Sequence, residues 1–381
     1  MAIASIESAG FDKPIVSSEA LVNPDKKIRK LKRTVTKTLA ALSIFAATNT
    51  GLETYYMHER PTQTKTEYKN FTSNLEAMIY FPHTYWVVFP GAGVDFAASV
   101  ESQLAPLMHE YGQTFTVEPS PVKIDPSEIA SSIAARVNPD NINKDETIHL
   151  RLYGISMGGM LAWEVGKKLE QRYPNIVIDA VIFDSSPAST SDVSQTSQQF
   201  VKASAMVDSL SDLPLGIPNP LKGGPIDRFL FNTAETASAR IKSHQMPFSP
   251  DDLSQSWRLS TGVASNYLAE QMKIINTFDT SPDPHSLKDA KFAYFGAGEG
   301  SIDSVVAVDR AIDGYQRLIG SERNLDVYRM SGTSHASADR TPKPYMRSLA
   351  EFIVKSGFAS KEDINNTLTK PGSDKLWYRG I

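Results

Sequence analysis

From Glu67 onward the chain repeats one pattern: a short apolar run, a turn, and a longer stretch with helical spacing of its apolar positions. Tyr85-Trp86-Val87-Val88-Phe89 is almost wholly apolar, which suits a strand buried on both faces. Further strands are expected at 75–81, 114–118, 147–153, 177–183, 291–296 and 325–330. Helices are expected between them at 96–111, 126–137, 160–169, 305–319 and 344–356, with Asp125 and Ser127 as capping candidates for the second. Apolar strands alternating with helices predict an α/β fold, a mostly parallel sheet with helices on both faces.

The alternation breaks between Ser185 and Ser286, where Ser, Thr, Gln, Asp and Pro dominate. Helical spacing persists there in 198–210, 227–243 and 250–278, and Pro214 to Pro220 breaks the chain between them. The expected organisation is a sheet core at 67–189 and 287–357, interrupted by a mainly helical lid or cap insertion at 190–286. A polar, loosely attached tail is expected at 358–381.

Residues 1–66 form a separate polar and basic segment. Lys26, Lys27, Arg29, Lys30, Lys32, Arg33 and Lys37 precede an uncharged stretch from Thr38 to Leu52, the order found in signal anchors. As a helix, 38–52 would span about 22 Å, short of the roughly 30 Å hydrocarbon core. Two readings stand: a membrane-associated segment, spanning or interfacial, or an amphipathic helix packed on the domain. The first implies a membrane-bound or extracytoplasmic protein, with the folded domain outside if the segment spans; the second leaves a cytoplasmic one.

Composition narrows the chemistry. Hydrophobic residues at 41% and charged residues at 22% are ordinary for a globular chain, and a net charge of −4 speaks against nucleic acid as a bulk partner. With no cysteine there is no disulfide, thiolate-bound zinc or thiol nucleophile. The seven histidines make no HxxxH pair, so no metal site is expected. Gly296 to Gly300 has the wrong spacing for a dinucleotide loop, and no lysine-bearing phosphate loop occurs; no cofactor is expected.

The chemistry that remains centres on Gly154-Ile155-Ser156-Met157-Gly158, set between an expected strand and an expected helix. A serine in that tight turn is lifted clear of the sheet edge, and its glycine neighbours avoid collisions with the adjoining elements. The turn also puts the serine and the next N–H at a helix N-terminus, where developing negative charge is favoured. An activated serine needs a base and a group to orient that base. His335 lies in a small-residue loop between the last strand and the last helix; its competitor, His149, lies within a strand. Asp303, in a Gly-rich loop after 291–296, is the favoured acid, Asp184 at the end of 177–183 the alternative, and Glu299 a third. The oxyanion donors are expected at the N–H of Met157 and in the turn after Phe89, at Ala92 or next at Gly93.

Together these residues resemble the α/β-hydrolase superfamily, over about Leu75 to Ser356 without the insertion. The run Met157-Gly158-Gly159-Met160-Leu161-Ala162-Trp163-Glu164 looks most like the thioesterase branch and some acylglycerol lipases. The resemblance implies ester, thioester or amide hydrolysis through an acyl-enzyme, without metal or organic cofactor, on a small-molecule or lipid-like acyl substrate. In some thioesterase domains the acid follows the strand where Asp184 stands. This chain departs from the family in its oxyanion turn, which carries Pro90-Gly91 in place of the usual His-Gly. The insertion would form a lid over an acyl pocket, with Phe200, Met206, Leu210, Phe229, Leu230 and Phe231 either lining it or forming the lid's own core. The rival readings are a binding protein of the same fold without turnover, and an acyltransferase using the same triad.

Overall fold

The computed structural model describes residues 66–72, 75–91, 94–120, 123–137, 146–193, 265–298, 303, 305–320, 322–338 and 340–369. Seven strands form one sheet: β1 (Glu67–Thr72), β2 (Thr84–Phe89), β3 (Gln113–Glu118), β4 (Ile148–Ile155), β5 (Ile176–Asp184), β6 (Lys291–Ala297) and β7 (Leu325–Met330). Their order is β1-β3-β2-β4-β5-β6-β7. Only β1 runs antiparallel, against β3; the other pairings are parallel. This is the expected α/β class, a mostly parallel sheet with one antiparallel edge and helices on both faces.

The pleat sorts alternate residues of the central strands into two cores. Val87, Phe89, Leu150, Leu152, Val181 and Phe183 face one side. Helices α3 (Pro126–Val137), α4 (Gly158–Arg172) and α6 (Val308–Ile319) cover that face with Ile133, Trp163, Leu169 and Tyr315. Trp86, Val88, Tyr153, Ile155, Ala180 and Ile182 face the other side, under α2 (Val94–Met108) and α7 (Pro342–Lys355). Asp125 caps α3 as expected, its Oδ1 accepting the Ser127 N–H at 2.9 Å.

Two expectations are corrected. Leu75–Tyr80 is a short helix, α1, instead of a strand, and the edge strand is Glu67–Thr72. The segment Leu-Glu-Ala-Met-Ile-Tyr opens with strong helix formers and lacks strict alternation; Ala77 is buried, and the three residues that follow, Met78, Ile79 and Tyr80, are exposed. The tail is not wholly loose, because Lys361–Thr369 forms helix α8 and buries Ile364 in the second core.

The insertion is also tied to the sheet domain at both described ends. Val193 bridges to Val306 and Ala307 N–H donates to Asp192 at one end; at the other, Asp283 N–H donates to Leu318. Of its expected helices, 198–210 and 227–243 lie outside the described residues, as do 38–52, the tail beyond 369 and the six named lid residues. The third is described in part, as α5 (Ser265–Thr277). Among the described residues no helix is long and apolar enough to cross a membrane.

Candidate active site

Ser156 stands where β4 turns into α4, and its backbone is held at φ 51°, the left-handed region that a non-glycine residue rarely adopts. The Ser156 N–H donates to the Asp184 carbonyl at 2.7 Å, anchoring the turn to the next strand. The flanking glycines answer to close approach. A Cβ on Gly154 would lie 2.3 Å from the Gly159 Cα, and one on Gly158 would lie 2.4 Å from the Phe89 carbonyl oxygen. Strand-to-helix packing this tight admits no side chain at either position.

The loops after β6 and β7 complete the arrangement. His335 Nε2 lies 3.0 Å from Ser156 Oγ, and His335 Nδ1 lies 3.0 Å from both carboxylate oxygens of Asp303. An ionised carboxylate only accepts, so Nδ1 carries the proton and Nε2 is left to accept from the serine hydroxyl. Asp303 is itself oriented: its Oδ1 accepts the N–H groups of Val305 at 3.0 Å and Val306 at 2.8 Å. Its side chain is 1% exposed against 20% for His335, so the acid is sealed off while the imidazole keeps an open edge.

The His335 loop is fastened on each side. Thr333 Oγ1 donates to the Met330 carbonyl at 2.8 Å, the Ala336 N–H donates to Ser185 Oγ at 3.0 Å, and the Ser337 N–H donates to Tyr345 Oη at 2.9 Å. Sequence reasoning singled out none of Ser185, Ser337 and Tyr345, because hydroxyl residues carry no local signal of a partner distant in the chain.

Asp184, the alternative acid, is completely buried, and its Oδ2 accepts the Tyr153 hydroxyl at 2.9 Å, with the Tyr345 hydroxyl against the same carboxyl. Burial raises its pKa from the ordinary carboxylate value to about 7. The reason it does not take the place of Asp303 is parity. Asp184 still belongs to β5, so the pleat sends it to the face of Ala180 and Ile182, between Tyr153 and Tyr345. His149, the competing base, pairs with Asp179 at 2.8 Å on the neighbouring strand. Glu299 lies outside the described residues.

Of the expected oxyanion donors, Met157 caps the N-terminus of α4, where backbone N–H groups are unpaired within the helix and the dipole is positive. Ala92 and Gly93 lie outside the described residues, but Gly91 is described, and a Cβ on it would come within 3.0 Å of Ser156 Cβ. The turn after β2 therefore lies against the serine. Above it runs α5, whose Ile275 packs with Met157 and Met160, flanked by Ile274 and Phe278. Its Gln271 donates from Nε2 to the Gly91 carbonyl at 2.5 Å. No group of side chains among the described residues has the composition of a metal site.

No family model and no curated protein matches the sequence. Several solved structures are similar over three quarters or more of this chain. An esterase from Exiguobacterium antarcticum is 14% identical, with a TM-score of 0.45, over 76% of this chain and 94% of its own. A carboxylesterase from Bacillus subtilis is 11% identical, with a TM-score of 0.45, over 82% and 99%. An α/β-hydrolase family protein from Desulfitobacterium hafniense is 11% identical, with a TM-score of 0.45, over 76% and 100%.

Proposed function

We propose that this chain is a serine hydrolase cleaving an ester or thioester through an acyl-enzyme. The observation that supports this reading is the continuous line Ser156 Oγ, His335 and Asp303, with each link at 3.0 Å. As Ser156 Oγ attacks the acyl carbonyl carbon, its proton passes to His335 Nε2, and Asp303 holds the imidazolium that forms. Negative charge moves to the carbonyl oxygen and is met by the Met157 N–H and the turn after β2, with Ala92 as the second donor. The imidazolium returns the proton to the departing alkoxide or thiolate, leaving the acyl group on Ser156. His335 then deprotonates a water that attacks the same carbon and frees the acid. Every proton is accounted for within the triad, so the cycle calls on no metal or organic cofactor.

The insertion is proposed to shape the acyl pocket. Its helix α5 packs Ile275 against Met157 and Met160, beside the serine turn, where an apolar wall suits an acyl chain.

The test is covalent. A fluorophosphonate probe should label the full-length protein, and Ser156→Ala should abolish labelling while the far-UV spectrum stays unchanged. A folded wild type that takes no label would sink the proposal. Turnover of p-nitrophenyl esters of rising chain length, beside a matched thioester series, then assigns the acyl group.

A further inference from the structure

Helix α5 touches three of the loops that leave the carboxyl edge of the sheet. Gln271 donates to the Gly91 carbonyl after β2. Glu270 Oε2 accepts the Ile124 N–H after β3 at 3.4 Å. Ile275 packs on Met157 and Met160 after β4. The first contact is the one with chemical consequence. Gln271 is 2% exposed, and its amide nitrogen must be the atom that faces Gly91, because two carbonyl oxygens would repel.

Glycine is the residue least able to hold its own peptide plane, and no side chain of Gly91 can do so. A peptide unit is rigid, so a pinned carbonyl also sets the direction of the N–H that follows it in the same plane. Oxyanion stabilisation depends on such donors being aimed before the reaction begins. The structure supplies the pin from 180 residues further along the chain.

We propose that Gln271 is a positioning residue: its bond to the Gly91 carbonyl orients the turn after β2, so that acyl transfer at Ser156 requires α5 to be docked. This rests on the serine-hydrolase reading. Gln271 touches no reacting atom; it acts through the backbone of the turn.

The experiment compares full-length wild type, Gln271→Leu and Gln271→Glu. Gln271→Leu should lower the fluorophosphonate labelling rate and the kcat on a p-nitrophenyl ester about 10-fold with little change in KM. That is less than the roughly 10²–10³-fold loss from deleting an oxyanion donor itself. Gln271→Glu carries the same shape but donates only when protonated. Its rate relative to wild type should therefore climb as pH is lowered from 8 to 5, while the Gln271→Leu ratio stays flat. A merely structural contact would not produce that difference. Wild-type kcat in Gln271→Leu, a loss confined to KM, or equal pH behaviour in the two variants overturns the proposal. If wild type takes no label, the hydrolase reading fails by itself. Hydrogen exchange in peptides spanning Pro90-Gly91 then decides the Gln271 role: faster exchange in Gln271→Leu supports the pin, and unchanged protection overturns it.

Discussion

At the scale of single residues, the two buried aspartates near the site do different work. Asp303 meets the imidazole through both oxygens, whereas Asp184 lies between two tyrosines. Asp303→Asn should lower kcat roughly 10³–10⁴-fold, because an amide can present a donor to Nδ1 and favour the wrong tautomer. Asp184→Asn should cost far less activity and instead change how stability depends on pH. The folded-state pKa of Asp184, about 7, lies above the ordinary carboxylate value of 3.8, so the folded protein binds the extra proton. Its contribution is full below about pH 4 and is lost as pH rises through about 7. The neutral asparagine removes that loss, so urea unfolding should find the variant gaining on wild type between pH 5 and pH 8, by up to a few kcal/mol. A gain at pH 5 equal to that at pH 8 would contradict the assignment.

At the scale of elements, the decisive joint is the one between β4 and α4. A strand and a helix that nearly touch leave no room for a Cβ, and the clash at Gly154 is with backbone, which cannot rotate aside. Gly154→Ala should therefore destabilise by about 3 kcal/mol or more, at the upper end of overpacking costs, and should slow fluorophosphonate labelling by displacing Ser156. Chemical denaturation and labelling rate measure the two effects separately. The joint was legible in the chain because strand period, turn glycines and helix period fall within about 20 consecutive residues. Leu75–Tyr80 was not legible in the same way: over six residues, apolar content does not separate a strand from a helix.

At the scale of the whole molecule, the sheet gains cover from parts of the chain whose sequence is mostly polar. Helix α8 adds Ile364 to the core beneath α7, and the Tyr111 hydroxyl reaches Thr367 at 3.4 Å. Ile364→Ala should cost about 2–4 kcal/mol in a denaturant titration, and a loss under 0.5 would mean that α8 does not pack in solution. Nine residues with only two large apolar side chains, Ile364 and Leu368, among polar neighbours give a weak periodic signal, which explains why the tail reads as loose from sequence. The proposed membrane association of the N-terminal segment is a separate matter, tested by vesicle binding with and without residues 1–60.

The local sequence was enough to establish the alternation of buried strands and helices, the serine turn, and His335 and Asp303 as partners worth ranking. These features rest on side-chain period, turn chemistry and chain order, all of which operate over short separations. The meeting of Asp303, and not Asp184, with His335 required the folded sheet. So did the fastening of the His335 loop by Ser185 and Tyr345, and the reach of Gln271 to Gly91. Each depends on which strand ends become neighbours and on which face a side chain leaves the sheet. The order β2-β4-β5-β6-β7 brings loops more than a hundred residues apart to one edge, and hydrogen bonds form between whatever groups arrive there. No short stretch of sequence encodes that meeting, because its partners are selected by packing across the whole domain.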